Sequence, residues 1–212
     1  MSTAQGAAGP WLVVGLGNPG PRYAGNRHNA GVMVLGELAR RTGARLVPAS
    51  GPGGQRPRAL SASVRLGVLP GGVPGPAVVL MTPTTYMNES GGPVGQVARY
   101  LAVWAGNVLV VHDELDIPFA DVRLKLGGGE GGHNGLRDVS RALGTKEYLR
   151  VRVGVGRPPG HQDPADYVLS DFSAAERREL GWVVDRAADA VEAIVHHGLE
   201  AAQRVYHAPS AP

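Results

Sequence analysis

Histidine and aspartate stand at two points of this chain that a fold would have to bring together before either did chemistry. The first is GNRHNAG, residues 25–31, where His28 lies four residues before Val32. Val32, Leu35, Leu38 and Ala39 form an apolar stripe, which predicts a helix from about Asn26 to Thr42, with Asn26 as its cap and Gly43 past its end. His28 shares the face of that stripe and is therefore turned toward the protein. The second point is VLVVHDELD, residues 108–116, an apolar strand that runs straight into acid at Asp113. A helix N-terminus disfavours an imidazolium and a nearby carboxylate favours it. Acting together they describe a ring that is neutral at rest yet able to take a proton, as a general base must. Alone, His28 reads better as a core histidine bonded to a carbonyl. With Asp113 in reach, the catalytic reading overtakes it.

Three asparagines, Asn18, Asn88 and Asn134, each follow a strand in a glycine-rich or turn context. Singly they are turn residues. As a set they offer amide donors and acceptors for an uncharged polar substrate. Asn134 and His133 end the glycine-rich GGGEGGHNG, residues 127–135. That loop is either a cradle for an anion or a lid, and it lacks both the Lys-Ser/Thr of a Walker loop and the dinucleotide glycine spacing. A metal reading draws on His112, Asp113, Glu114, Asp116 and His133. Alternation sets His112 and Asp113 on opposite strand faces, and the chain has neither a histidine pair of H-x-x-x-H spacing nor any cysteine, so no metal and no cofactor are expected. Ser90 is the nearest candidate nucleophile, without a G-x-S-x-G elbow around it.

The elements that must position these groups alternate. Apolar runs at Trp11–Leu16, Ala77–Met81 and Val108–Asp116 read as strands, Leu60–Leu69 as an edge or antiparallel strand, and Tyr148–Pro158 as a strictly alternating one. Helical patterns follow them, the last from about Ser173 to Gly198. The fold class is α/β: a single domain with a twisted mixed, partly parallel β-sheet flanked by helices. Residues 11–198 are its expected extent, with tails at 1–10 (disordered) and 199–212. In such sheets ligands sit beyond the carboxyl ends of the strands, which is where the polar clusters of Asn18, Asn88 and Asp113 fall.

The 212 residues suit one core. No apolar run approaches the ~20 residues of a membrane span, and the N-terminal stretch is not a secretory signal, so a cytoplasmic protein with no membrane partner is expected. A net charge of +3 is mild. Its distribution is uneven: Arg123, Lys125, Arg137, Arg141, Lys146, Arg150, Arg152 and Arg157 face only Glu130, Asp138 and Glu147 within their stretch. That predicts a basic surface for a polyanion.

Five motifs in this order, VVGLGNPGPRYAGNRHNAG, TYMNESG, VHDELDIP, LKLGGGEGGHNGLRDV and RVRVGVGRP, closely resemble bacterial peptidyl-tRNA hydrolase over Trp11 to Gly198. The resemblance implies a cytosolic, metal-independent, monomeric esterase that releases peptide from the 3′ ribose of peptidyl-tRNA and recycles tRNA from aborted translation. By motif, His28 is the general base, Asp113 orients it, and Asn18 and Asn88 position peptide and ester. Asn134 bonds the peptide main chain or an ordered water, while Tyr23, Met87 and His133 shape the pocket. Lys125 and Arg152 match positions that meet the tRNA backbone. The chain departs from the family pattern at Asn26 (usually Thr), Thr82 (usually Lys), Phe119–Asp121 (usually a glycine-containing turn) and Asp138 (often Ser). A splicing-factor-like RNA-binding module and a metal hydrolase using His112, Asp113 and His133 are the competing classes. A free α-ammonium beside an arginine-rich rim is unfavourable, so blocked or peptidyl esters are the expected substrates.

Overall fold

The computed structural model describes residues 9–54 and 56–207; of the expected N-terminal tail, residues 1–8 lie outside the described residues. Four short runs form the centre of a seven-stranded sheet: β1 (Trp11–Gly15), and further along the chain Ala77–Pro83, Val108–Glu114 and Leu149–Gly154, mutually parallel. In chain order the elements are α1 (Ala30–Arg41), β2 (Val47–Pro48), β3 (Ala59–Arg65), β4 (Val68–Leu69), β5 (Val73–Pro74) and β6 (Ala77–Pro83). There follow α2 (Gly91–Tyr100), β7 (Val108–Glu114), β8 (Val122–Leu126), α3 (Asn134–Leu143) and β9 (Leu149–Gly154). The chain continues through α4 (Pro164–Val168), α5 (Ala174–His197) and α6 (Leu199–Tyr206). The sheet order is β2-β3-β6-β1-β7-β9-β8, with β2, β3 and β8 antiparallel to their neighbours. β4 and β5 pair as a separate hairpin at the proline-glycine stretch.

Parallel strands covered on both faces must be apolar; β1 is so throughout and β7 from Val108 to Val111, before it turns polar at His112. Val13, Leu109, Val111 and Val151 face the layer of α1 and α5, while Leu12, Val14, Val108 and Val110 face that of α2 and α3. Burying a side chain of this size contributes roughly 1.5–3 kcal/mol, so the two layers clamp the sheet from both sides. α5 starts with a capping box between Ser173 and Glu176.

α1 begins later than its apolar pattern predicts. Residues 27–29 form a tight 3₁₀ turn ahead of it, and Asn26 makes no side-chain cap. Instead Asn26 Nδ2 donates to Asp171 Oδ1 at 2.7 Å. Gly31 sets how closely this turn approaches the sheet: a Cβ there would lie 2.3 Å from the Val111 carbonyl oxygen. Any side chain at that position pushes the turn off the sheet.

The domain does not stop at Gly198. Residues 199–206 form α6, with Ala202 and Tyr206 buried, and this corrects the expected tail as far as the described residues reach. α6 lies along the outer strand β8, where Gln203 Nε2 donates to the Leu124 carbonyl at 3.0 Å and the Leu124 N–H donates to His207 Nε2 at 2.9 Å. No helix is expected here from the sequence, whose last helical pattern ends near Gly198. The unmet polar groups of an edge strand supply the reason for it to dock.

Candidate active site

The carboxyl ends of β1, β6 and β7 open into one cleft of about 930 Å³. Asn18, Tyr23, His28, Met87, Asn88, Asp113, His133 and Asn134 all line it. The loop after β1 carries Asn18 and Tyr23, the loop after β6 carries Met87 and Asn88, β7 itself delivers Asp113, and the start of α3 brings His133 and Asn134.

At its floor His28 Nδ1 sits 2.9 and 3.0 Å from the two oxygens of Asp113, and His133 Nε2 sits 3.1 Å from Oδ1. The proton positions follow from the partners. His133 caps α3, its Nδ1 accepting the Leu136 N–H at 3.3 Å, so its proton is on Nε2, where it donates to Asp113. An ionised carboxylate only accepts, so His28 Nδ1 also donates, and the lone pair of the His28 ring is on Nε2. Burial disfavours the charged form of His28. The Asp113 charge and hydrogen bond outweigh it and raise the ring above its ordinary 6.5. Burial likewise opposes the charge on Asp113, but the two imidazoles hold it far below the usual carboxylate range. The proton of this pair therefore belongs to the ring. The ring is a stronger base than the field of a helix mouth alone predicts.

The turn that carries His28 is pinned on both sides. Arg27 is buried, with Nη1 donating to Ser170 Oγ at 2.8 Å and to the Asp171 carbonyl at 2.7 Å, Nη2 donating to Glu176 at 2.7 Å, and its guanidinium 4.2 Å from the Tyr167 ring centroid. Asn29 exchanges two hydrogen bonds of 2.9 Å with the backbone of Asn18. Asn18 Oδ1 in turn accepts the Met87 N–H at 2.8 Å, which ties the first loop to the second and leaves the Asn18 amide nitrogen as a donor beside the cleft.

Other groups settle elsewhere. Ser90 is fully buried and donates to the Met87 carbonyl at 2.8 Å, so it is not held as a nucleophile for His28. His112 turns its Nδ1 to the Asp113 carbonyl at 2.7 Å, and burial drives its ring well below 6.5. The cluster that assembles is His28, Asp113 and His133 rather than His112, Asp113 and His133. In that cluster the protonated Nε2 of His133 presents no lone pair to a cation.

Thr82, at the position where the family resemblance expects lysine, is buried on β6 and not at a surface that meets RNA. Asp138 has its own use: its Oδ2 accepts the Gly91 N–H at 2.7 Å at the start of α2, where a helix dipole favours an anion. Arg150, counted in the basic stretch, is buried. Its Nη1 and Nη2 donate to the carbonyls of Gly129 and Gly128 at 2.7 and 2.9 Å, holding the glycine loop from beneath. Lys125 and Arg152 lie outside the cleft lining, on the same face of the β8–β9 pair. Arg152 is bound to Glu114.

Sequence reasoning missed the outer wall. Glu114, Asp116, Arg157 and the segment Asp163–Leu169 line the cleft as well. The start of α4 was readable, since Asp163 accepts from Ala165 N–H ahead of a proline at the first helical position. That this helix returns to the cleft was not. Because Glu114, Asp116 and Asp163 stand beside Arg157, the wall does not supply the arginine-rich repulsion expected against an α-ammonium.

An α/β sandwich with a histidine–carboxylate pair at the carboxyl edge of its parallel strands, and its nearest serine turned away, has the fold and the groups of a hydrolase. A model of the peptidyl-tRNA hydrolase family matches residues 12–212. The chain is 59% identical over 200 residues to peptidyl-tRNA hydrolase of Kineococcus radiotolerans, covering 94% of this chain and 98% of that one. It is 58% identical to that of Frankia alni, covering 94% and 95%. A crystal structure of an Arg119Gln mutant of peptidyl-tRNA hydrolase from Acinetobacter baumannii superposes with a TM-score of 0.82 at 32% identity, over 96% of this chain and 97% of that one. The chain belongs to the peptidyl-tRNA hydrolase family. Among the described residues, no helix is long and apolar enough to cross a membrane.

Proposed function

We propose that this protein hydrolyses the ester between a peptide carboxyl group and the 3′ ribose of tRNA, with His28 as general base and Asp113 as the group that orients it. The observation that carries the assignment is the His28–Asp113 hydrogen bond of 2.9 Å, which fixes the tautomer with a basic Nε2. Water placed at Nε2 loses its proton to the ring as its oxygen attacks the ester carbonyl. The resulting imidazolium is stabilised by the buried Asp113 carboxylate. The tetrahedral oxyanion is met by the Asn88 amide or neighbouring N–H groups, each such donor being worth roughly 2.7–4 kcal/mol. Collapse expels the ribose 3′ oxygen, which takes the proton back from His28, and the ring returns neutral. A sugar alkoxide leaves far more readily than an amine, so the site has no need of a covalent intermediate.

Asn18 and Asn134 offer amide groups to the peptide main chain, and Tyr23, Met87 and His133 give the pocket its shape. Lys125 and Arg152 meet the backbone of the acceptor stem. The protein acts as a monomer in the cytoplasm, without metal or cofactor.

The test is release of an N-blocked amino acid from its tRNA ester. His28→Ala is expected to lower turnover about 10²–10⁴-fold while binding of the tRNA ester survives, with EDTA leaving the wild-type rate unchanged. Full activity in the variant rejects the assignment, and loss of activity in EDTA returns the metal reading.

A further inference from the structure

Three cations of the basic stretch are met by acids that lie outside it in sequence. Asp121 takes Arg123, Asp116 takes Arg157, and Glu114 takes Arg152. The last pair differs in being half-buried: the side chains of Arg152 and Glu114 are 25% and 12% exposed. Arg152 approaches with both Nε and Nη2, at 3.1 and 3.0 Å, converging on the single oxygen Oε2 of Glu114. The backbone holds the geometry. Arg152 is opposite His112 in the β7–β9 register, two positions from the Glu114–Gly154 pairing, and the Glu114 carbonyl accepts the Val155 N–H at 3.1 Å. A cation held this way is not open to a second anion unless the first lets go.

We propose that Glu114 is a built-in counter-ion for Arg152, displaced by a backbone phosphate when RNA binds, so that Glu114 sets how tightly the polyanionic part of the substrate is held. This rests on the reading of Arg152 as an RNA contact. The exchange trades one oxyanion for another on the same guanidinium, so Arg152 adds less affinity than a free arginine would. It also weakens the salt dependence. A displaced carboxylate takes up a cation from solution as the phosphate releases one, and the two partly cancel. Because Glu114 follows Asp113 on β7 and lines the cleft, the exchange occurs one residue from the proposed chemistry.

Equilibrium binding of deacylated tRNA, followed by fluorescence anisotropy between about 50 and 200 mM salt, tests this in Glu114→Gln, Arg152→Gln and the double variant. Glu114→Gln is expected to bind about threefold tighter or more, with a log–log salt slope steeper by up to about one. Arg152→Gln weakens binding, and the double variant matches Arg152→Gln alone, since a counter-ion has no effect without its cation. Glu114→Asp, which withdraws the carboxylate by one methylene, gives a smaller gain in the same direction and serves if Glu114→Gln does not fold. Arg152→Gln without effect rejects the RNA contact itself, and the proposal with it. Weaker RNA binding by Arg152→Gln, with no gain in Glu114→Gln or Glu114→Asp, overturns the counter-ion while leaving the contact standing.

Discussion

On the cleft floor, a single buried carboxylate serves two imidazoles within 3.1 Å, and almost no water reaches it. On the adjoining basic face, five cations each have a carboxylate of their own: Arg123, Arg141, Lys146, Arg152 and Arg157. Lys125 and Arg137 meet no carboxylate among the described residues, and Arg150 is inside the protein, bound to the Gly128 and Gly129 carbonyls. β7 contributes to both regions through neighbouring residues, Asp113 and Glu114. At the floor, charges are few, dry and strongly coupled, so each fixes the state of the next. On the face they are many, wet and mutually cancelled, so removing any one changes little. Charge counted along a sequence overstates the field that a partner meets.

The sharpest way to break this contrast is at its shared strand. Asp113→Asn leaves the size of the side chain but removes the charge and the fixed tautomer, and turnover is expected to fall about 10²–10⁴-fold. The pH profile gives the sign. With His28 as the proposed base, activity needs its neutral ring, whose pKa is raised, so the acid limb is expected above 6.5 and activity falls as pH drops through it. In Asp113→Asn that limb moves down. An unmoved limb in steady-state kinetics means that Asp113 does not set the basicity of His28.

Next in size is Arg27→Met, which strips a buried cation from Glu176, Ser170 and Asp171. A cost of about 3 kcal/mol is expected in urea unfolding, because the partners stay buried without it. A cost below about 1 kcal/mol would place Arg27 with the cations of the basic face. Ala120 holds a left-handed φ of 74° in the turn before β8, so Ala120→Gly should stabilise by about 1 kcal/mol, read as a shift of the urea midpoint. Smallest is Lys125→Ala. It should raise KM for peptidyl-tRNA about threefold and flatten the salt slope by about one, with kcat unchanged. A tenfold or larger loss would show that the face acts through one dominant contact.

Much of the floor was legible because its positions follow from periodicity. Of the expected stripe, Leu35, Leu38 and Ala39 are buried and set the face of α1, and strand ends in a parallel sheet gather at one edge. Asn18, Asn88 and Asp113 could be placed in one cleft on that ground. What the sequence did not carry was pairing across it. Asn26 looks like a cap but bonds Asp171, 145 residues away, and Arg150 alternates outward in pattern yet is buried beneath the glycine loop. Glu114 and Asp116 read as part of an acidic strand end, and only the register of β7 with β9 brings Glu114 to Arg152. Local pattern sets which way a residue faces. It says nothing of which distant residue waits there.

The docking of α6 along β8 has an outcome of its own. A sheet's last strand offers its unpaired backbone to any other extended chain, and here Gln203 and His207 occupy those groups at Leu124. The latch depends on His207 accepting a proton donor through a bare nitrogen. Burial, with Arg123 and Arg152 nearby, holds that ring below 6.5. Near neutrality the edge is shut. A protonated ring would face the Leu124 N–H with a hydrogen of its own and give up that one bond, while Gln203 still covers the Leu124 carbonyl and Ala202 and Tyr206 keep the helix seated, so the border strand stays screened from a neighbour even when half of its latch is lost.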